Sequence, residues 1–442
     1  MDTETRTAGD KSWPPAGLHR FAASLSCQRK TKPQTPCQVD FGWRLHGKPI
    51  RVLPDSSLQL LARRQQAAAA LLSTYYSGNG KSLVSCLQCG ACTVNCQLAE
   101  SDGALFPRRQ ITLLQLGEID KLIADPHVWL CFNCDDCTSR CPAQAGPGRI
   151  MAAVRRLAVE KYSVPAWWSR LVNQPRGFVY AVLAAIVALV GAIAAGGSFS
   201  PRVSPVQYST MLPHLTLNLL FGTLAGAVMI VAAVNATRVW KEFSGETFAD
   251  VRLGRLVRSL RSVTRQVGAH NQFSECQQYP LSRSAHLAVF YGFMTLTVLA
   301  GGAALMIVLG VPYPLPVFHP FKIAGNLAAA AMIAGTLYFC VQRWSSSRKW
   351  YPSSWFDWAP LVQLLLVSTT GLLAEIFRYV NVGVLAYPTY FLHLVCVFVL
   401  FASLANSKLV HMVYRTIALT AEEYKKTSEE WLAEPQPERA AA

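Results

Sequence analysis

The chain has 442 residues, of which 52% are hydrophobic and only 15% are charged. This composition excludes an ordinary soluble protein, and the length fits two or three domains at roughly 150 residues each. The formal net charge is +16. Basic residues beside membrane spans set topology without contacting a nucleic acid, so we expect no nucleic-acid partner.

Residues 1–50 are rich in Pro, Thr, Lys and Arg and show no sustained periodicity, which predicts a disordered extension. Its cysteines, Cys27 and Cys37, are interpreted as ordinary free thiols. The extension starts with no apolar run of signal-peptide length, so the N-terminus is expected to stay in the cytoplasm. Helical patterns follow at 56–76, at 108–121 and after Gly146.

Eight of the thirteen cysteines lie between Cys86 and Cys141. They form two copies of the pattern C-x2-C-x2-C-x3-C, and Pro142 follows the second copy. In two-cluster ferredoxins each motif supplies three thiolates to one [4Fe-4S] cluster and its last thiolate to the other cluster. The spacing therefore predicts two ligand sets. The first is Cys86, Cys89, Cys92 and Cys141, and the second is Cys131, Cys134, Cys137 and Cys96.

A pair of structural zinc sites is the competing interpretation, because zinc also uses C-x2-C pairs. Zinc has no use for a third cysteine three residues further on, repeated twice, so iron–sulfur chemistry is favoured. The helical flanks predict an α-helical ferredoxin domain over 51–165, as opposed to the compact type that contains strands.

Apolar runs of about 20 residues, long enough to cross a bilayer, start near Phe178. We predict six spans, at about 178–197, 213–235, 286–311, 321–342, 359–380 and 384–408. They predict a membrane domain over 178–411 and a cytoplasmic tail over 412–442, because six spans return the chain to the side of its N-terminus. The loops 236–285 and 343–358 carry most of the nearby arginine and lysine, which is the positive-inside pattern expected in an inner membrane.

Five arginines recur every three or four residues within the loop 236–285, with leucine and valine between them. They are Arg252, Arg255, Arg258, Arg261 and Arg265. This pattern predicts a basic amphipathic helix at the cytoplasmic membrane surface. Two interpretations are open: retention on anionic membrane lipid, and docking of an acidic soluble partner.

His393 and His411 are 18 residues apart, and both are assigned to the last predicted span. Eighteen residues make five helical turns, so both side chains point the same way, separated by about 27 Å of rise. That rise approaches the roughly 30 Å hydrocarbon thickness, so one histidine serves each side of the membrane. This geometry predicts two stacked b-type haems.

The partner haem ligands must come from other spans at matching depths. His286 opens the third span at the depth expected for His411. His319 precedes the fourth span at the opposite face and is favoured as the partner of His393, with His214 at the start of the second span as its rival. Each of these histidines has an alternative interpretation as an ordinary polar residue at a helix end.

Glu375 is the one acid placed deep within a predicted span. Acids in membranes often function in proton transfer or ligand binding, so one interpretation is a role at a quinone site. The other interpretation is neutralisation by Arg378, one turn away.

Six short segments together resemble one known family. They are Cys86-Leu-Gln-Cys89, Trp129-Leu-Cys131-Phe-Asn-Cys134 and Cys141-Pro142, then His319-Pro-Phe-Lys-Ile-Ala-Gly-Asn326, Tyr390-Phe-Leu-His393 and His411-Met-Val-Tyr-Arg415. From about Arg51 to Tyr424 the chain resembles the membrane-bound C component of the quinone-interacting membrane-bound oxidoreductase, the Qmo complex. The cysteine half is similar to the iron–sulfur C component of heterodisulfide reductase, and the membrane half to haem b subunits of the nitrate reductase gamma kind.

The resemblance implies an all-α protein: an α-helical ferredoxin domain with two [4Fe-4S] clusters, followed by a six-helix transmembrane haem b bundle. It implies electron exchange between the quinone pool and two soluble flavin- and iron–sulfur-containing subunits, which serve adenylylsulfate reductase in dissimilatory sulfur metabolism. The direction of electron flow stays open. The alternatives are a heterodisulfide reductase-like or tricarballylate-oxidising system with the same wiring, and a membrane sensor without turnover, which would need an output domain.

Overall fold

The computed structural model describes residues 85–433 apart from five internal gaps, together with short pieces before residue 85. The gaps are 103–104, 202–203, 248, 270–280 and 346–353, and the pieces are 44–45, 48–49, 59–60, 62–68, 70 and 83. Residues 1–54 and 55–442 form two compact units. The first unit holds two strands, β1 (Arg44–Leu45) and β2 (Lys48–Pro49), which pair antiparallel. The rest of the predicted extension, with Cys27 and Cys37, lies outside the described residues.

The cysteine-rich half, residues 85–162, is called the head below and consists of short helices around the two cysteine motifs. They are α1 (Ala91–Val94), α2 (Gln97–Asp102), α3 (Arg108–Gln115), α4 (Ile119–Ile123), α5 (His127–Leu130), α6 (Asp136–Ser139) and α7 (Pro147–Tyr162). Pro147 is pre-organised for the first helical turn, and α7 buries Ile150, Val154 and Ala158 along one face. The predictions of an all-α head and of a helix after Gly146 are confirmed.

The head leads through α8 (Ala166–Val172) into the membrane half, where six helices are long and apolar enough to span a membrane. They are α9 (Pro175–Gly196), α11 (His214–Ser244), α13 (Leu281–Val308), α14 (Pro320–Trp344), α15 (Trp355–Tyr379) and α16 (Gly383–Leu404). A four-residue helix, α10 (Tyr208–Met211), lies between the first two. Within the part of the chain that the structure describes, the prediction of six helices able to span a membrane is confirmed.

Two further helices pack on the head side of this bundle: α12 (Leu253–Ala269) and α17 (His411–Ala433). The span α11 has 31 residues, about 46 Å at 1.5 Å per residue, so it reaches past the bilayer core. Its last turns enter the same hydrophobic core as the head and α17. Residues of this shared core include Trp129, Ile150, Val154, Tyr162, Val239, Trp240, Phe243, Tyr414, Ala418, Ala421 and Tyr424.

The helix α17 occupies most of the segment 412–442 for which the sequence predicts only a tail. Tyr414, Ala418, Ala421 and Tyr424 are buried along one side of it. The ring centres of Trp129 and Tyr414 lie 5.0 Å apart in an edge-to-face arrangement, a favourable geometry for aromatic pairs. This segment is therefore a structural part of the head's core.

The last span ends at Leu404 and does not continue to His411. Ser407 caps a short 3-10 turn, Lys408–Val410, and α17 begins at His411. The prediction that His393 and His411 share one span is therefore wrong, and five turns of a single helix cannot be what relates their directions.

Side chains from distant parts of the chain stabilise the turn between the last span and α17. Asn235 Nδ2 donates to the Ala405 carbonyl and to Asn406 Oδ1, each at 3.1 Å. The Asn406 carbonyl accepts from Ser169 Oγ at 3.0 Å and from Asn173 Nδ2 at 2.9 Å. A buried carbonyl must find a donor, and these donors stabilise a turn where the helix would otherwise continue.

Candidate electron-transfer sites

The first predicted ligand set comes together around a recess in the head. Cys86, Cys89, Cys92 and Cys141 all line this recess, as does Arg108. Burial raises the pKa of the Cys92 thiol, and a hydrogen bond with Thr93 offsets part of that rise. The nearby Cys86 and Cys141 raise the pKa further. The last cysteine of the second motif thus lies with the first three of the first motif.

The second predicted set is also brought together. Burial raises the pKa of the Cys96 thiol to about 11, and the neighbouring Cys131 and Cys134 contribute to the rise. Burial raises the pKa of Cys137 as well, with further contributions from Cys131, Cys134 and Cys96. A thiol held among other buried thiols resists ionisation until a cation is present, which suits a site that binds iron.

The two motifs repeat the same backbone turn. Gln88 and Asn133, each two residues after the first cysteine of its motif, have φ of 55° and 58°. Gly90 and Asp135, each just after the second cysteine, have φ of 83° and 71° and precede α1 and α6. The third cysteine of each motif is consequently the second residue of a short helix.

Backbone N–H groups point at the sulfurs. The amide of Asn133 donates to Cys131 Sγ, and the amide of Ala145 donates to Cys141 Sγ, both at 3.4 Å. Hydrogen bonds to cluster sulfurs are among the features that set cluster potentials. The donor set and its surroundings therefore fit an iron–sulfur cluster.

Among the described residues, no three His, Cys, Asp or Glu side chains converge closely enough to hold a metal ion. A single tetrahedral zinc with bonds of about 2.3 Å to sulfur needs its thiolates within about 4 Å of one another. A [4Fe-4S] cluster takes each thiolate at a different iron, so its ligands lie further apart.

The structure brings His286 and His411 together, with ring centres 6.4 Å apart. Two imidazoles bonded to opposite sides of one metal ion at about 2 Å each have ring centres about 6 Å apart, so the pair fits a bis-histidine metal site. His411 Nδ1 lies 2.8 Å from the Lys408 carbonyl. This contact requires the Nδ1–H tautomer and leaves Nε2 as the ligating nitrogen.

The charge state of His411 also suits a metal ligand. Burial, and then the neighbouring His286, lower its pKa to about 3. The ring is therefore neutral at physiological pH, which is the form in which imidazole binds metals.

His393 has the same tautomer arrangement inside the last span. Its Nδ1 lies 3.1 Å from the Val367 carbonyl and 3.2 Å from Thr370 Oγ1. Gly371 lies against the ring, and a Cβ there would come within 2.9 Å of His393 Cε1. Sequence reasoning missed Gly371, because a lone glycine in an apolar helix carries no signal until its neighbour is known.

The predicted partner of His393, His319, lies at the start of another spanning helix. His393 lies in the middle of α16 (Gly383–Leu404), ten residues or about 15 Å from the helix start. His319 is the N-cap of α14, and its Nδ1 accepts a hydrogen bond from the Phe321 amide at 3.2 Å. A neutral ring that accepts at Nδ1 carries its proton on Nε2, which disfavours ligation.

His214 is the first residue of α11 and packs on Tyr313. The pairing of His393 with His319 or His214, called the outer pair below, therefore stays a prediction.

The acid of the predicted quinone or proton site is paired with a lysine from another span. Lys322 Nζ lies 3.3 Å from Glu375 Oε1, and both side chains are less than one-fifth exposed. The neutralising partner is thus Lys322, whereas the sequence suggested Arg378. Arg378 lies over the Tyr379 ring instead, with Cζ 4.7 Å from the ring centre.

A second buried acid lies at the opposite end of the same helix. Asp357, in the first turn of α15, is 8% exposed and accepts from Lys408 Nζ at 2.6 Å. Sequence reasoning missed it because the predicted span began two residues later. The Lys408 carbonyl accepts from His411, so this ion pair supports the His286–His411 pair, called the inner histidine site below.

Comparison with known proteins identifies the head. Residues 82–145 match the profile of the 4Fe-4S dicluster domain. A protein of Archaeoglobus profundus that is itself similar to the C component of heterodisulfide reductase is 40% identical over 82 residues, 19% of this chain and 44% of that protein. The C component of the ferredoxin:CoB-CoM heterodisulfide reductase of Methanosarcina acetivorans is 33% identical over 76 residues, 17% of this chain and 30% of that protein.

The iron–sulfur C component of the CoB–CoM heterodisulfide reductase of Methanopyrus kandleri is 34% identical over 80 residues, 18% of this chain and 41% of that protein. The chain thus spans less than half the length of these relatives. No solved structure matches it. The head is an electron-transfer module with iron–sulfur clusters, and the chain carries it together with six membrane-capable helices.

Proposed function

We propose that this chain is the membrane electron-transfer subunit of a quinone-linked oxidoreductase. It exchanges electrons between the quinone pool and soluble flavin- and iron–sulfur-containing subunits of the same complex. The predicted cofactors are two [4Fe-4S] clusters in the head and two b-type haems in the bundle. The protein is proposed to lie in the inner membrane with both termini in the cytoplasm, which places the head and its partners on the cytoplasmic side.

The observation that carries this proposal is that one helix contacts both candidate sites. α17 begins at His411, whose ring faces His286. One turn later, Arg415 Nη1 donates to the Leu130 carbonyl at 2.8 Å, and the next residue is Cys131 of the second ligand set. The inner histidine pair is thus a direct structural neighbour of the second cluster site.

When bound, the clusters and haems would carry single electrons. The protein's own residues supply the ligands and their orientation. Lys408 and Val367 fix the imidazoles of His411 and His393 through backbone carbonyls. The buried Lys322–Glu375 pair lies in the membrane part, where quinone is found. We propose that it assists quinone binding or proton transfer there.

The identity of the soluble partner is the most specific part of the proposal. The family resemblance favours a complex that serves adenylylsulfate reductase in sulfur metabolism. The names of the similar proteins favour the alternative, a heterodisulfide reductase-like system, for the head. A tricarballylate-oxidising system would use the same electron-transfer path. Co-purification of the complex from its native membrane, followed by assay with adenylylsulfate and with a heterodisulfide, separates these choices.

Redox-monitored optical spectroscopy of the purified chain tests the core of the proposal. We expect b-type haem bands that respond to a reduced quinol analogue. His286→Ala and His411→Ala should each remove the same transition, because both rings face one site. His127→Ala, a half-buried histidine of the head that bonds Asp125, is the control and should leave the bands intact. A preparation without haem bands and without any response to quinol would refute the proposal and revive the sensor alternative.

A further inference from the structure

Two guanidinium groups meet at the end of the short helix that leads into the second cluster site. α5 ends at Leu130, directly before Cys131. The last carbonyls of a helix lack partners within it, and they form the negative end of its dipole. Left alone, this end would disfavour the extra negative charge of a reduced cluster at Cys131.

Arg155, from α7, takes two of these carbonyls. Its Nε donates to the Val128 carbonyl at 2.8 Å, and its Nη2 donates to the Cys131 carbonyl. Arg155 also lies close enough to His411 to lower the pKa of that ring.

Arg415, from α17, reaches the same helix end. Its Nη1 donates to the carbonyls of Trp129 at 3.1 Å and Leu130 at 2.8 Å, with a longer contact of 3.4 Å to Cys131. Its Cζ lies 4.7 Å from the ring centre of Phe132. The Cys131 carbonyl is thus shared between two positive groups that come from different helices.

We propose that Arg155 and Arg415 set the reduction potential of the second cluster, the one assigned to Cys131, Cys134, Cys137 and Cys96. They hold it above the potential that the same thiolates would give alone, and so favour electron transfer to it from the His286–His411 site. The effect on the cluster rests only on the dicluster head, whereas the direction of transfer rests on the proposed haem function.

The sign follows from electrostatics. Reduction adds one negative charge to the cluster, and a nearby positive charge stabilises the reduced form more than the oxidised form. Net charge and hydrogen bonding around the ligands are known determinants of cluster potential. Removing either guanidinium therefore makes reduction less favourable, while the first cluster, on the Cys86 side, keeps its potential.

The test is a redox titration of the full-length chain, followed by electron paramagnetic resonance. Arg155→Gln and Arg415→Gln should each lower the reduction equilibrium constant of the second cluster about tenfold, which equals 59 mV for a one-electron couple. The signal of that cluster is identified as the one that Cys137→Ser alters. The matched control is Arg156→Gln, because Arg156 is also half-buried on α7 but contacts Glu160 and the Asn173 carbonyl instead.

A charge-retaining variant separates charge from hydrogen-bond geometry. Arg415→Lys should keep the potential near the native value, whereas a purely structural role of Arg415 would give the same shift in Arg415→Lys as in Arg415→Gln. Unchanged potentials in Arg155→Gln and Arg415→Gln at full iron content would overturn the proposal. If the Arg415→Gln variant loses its second cluster, the potential of that cluster in Arg155→Gln alone decides whether the proposal stands. Missing haem bands would count against the proposed function only, because the cluster titration does not depend on them.

Discussion

Lys408 Nζ lies 2.6 Å from Asp357 Oδ1 in the structure. This contact joins the turn before His411 to the first turn of α15 (Trp355–Tyr379). The Asp357 side chain is only one-tenth exposed, so its charge depends on the lysine. The ion pair is therefore one of the contacts that position the inner histidine site.

Removing the lysine alone should be costly. Lys408→Met leaves a buried carboxylate without its cation, and we expect the free energy of unfolding to fall by about 3 kcal/mol. The measurement is denaturant unfolding in detergent. The double variant Lys408→Met/Asp357→Asn should recover most of the loss, because both charges are then gone. Lys161→Met, which breaks the exposed pair with Asp120, should cost less than about 1 kcal/mol. An equal loss in both single variants would contradict this account.

The cysteine assignment predicts crossed effects of single substitutions. Cys141→Ser should weaken the cluster at Cys86, Cys89 and Cys92, although it belongs to the other motif. Cys96→Ser should likewise affect the cluster at Cys131, Cys134 and Cys137. Iron content and the resonance spectrum of each variant provide the measurement. If Cys141→Ser instead altered the same signal as Cys137→Ser, each motif would hold its own four-cysteine cluster, contrary to the prediction.

The proposed outer haem site, at His393, predicts a steric effect at Gly371. An alanine there would place a methyl group against the His393 ring, so Gly371→Ala should change or abolish the haem band that His393→Ala removes. Gly222, where a Cβ would meet nothing within 4 Å, provides the matched control Gly222→Ala.

The identity of the partner of His393 needs its own pair of variants. His214→Ala should remove the outer haem band, and His319→Ala should leave it, because the Nδ1 of His319 is already used as a helix cap. Optical redox titration in membranes distinguishes the two. Loss of the band in His319→Ala alone would support the assignment to His319 that the sequence favours.

The basic helix α12 (Leu253–Ala269) presents an apolar stripe away from its packed side. Leu253, Val257 and Leu260 are exposed, whereas Ser259 and Val263 are buried. Near the other end of the helix, the Tyr291 hydroxyl, on a spanning helix, donates to the Gly268 carbonyl at 2.8 Å. That contact places the end of α12 beside a membrane span, so we expect the stripe to contact lipid.

Photo-crosslinking separates the two interpretations of this helix. A photoreactive side chain at Val257 should label lipid in native membranes, and the same group at Ser262, on the exposed polar side, should not. A protein adduct at position 257 would instead support docking of an acidic partner.

Local patterns were enough to predict the six spans, the two cysteine groups and the meeting of His286 with His411. The meeting of His286 with His411 is nevertheless not explained by one helix from His393 to His411, because that helix ends at Leu404. The helix ends early since Asn406 is held by Ser169, Asn173 and Asn235, which are far away in sequence. No local pattern reveals such contacts.

The sequence does carry a pattern that indicates α17. Tyr414, Ala418, Ala421 and Tyr424 recur at helical spacing and are the residues that the structure buries. Polar residues surround them, so the segment also fits the predicted tail. The ion pairs of Glu375 and Asp357 were beyond sequence reasoning, since each joins two different helices.

The break at Asn406 also bears on how this protein can change over time. In a continuous helix, inserting one residue between His393 and His411 would turn the second ring by about 100° relative to the first, and both proposed haem sites would have to adapt at once. With a side-chain-held turn between them, the two ligands can be reoriented independently. A lineage or a protein engineer can thus retune the inner site by altering α17 while the outer half of the bundle stays as it is.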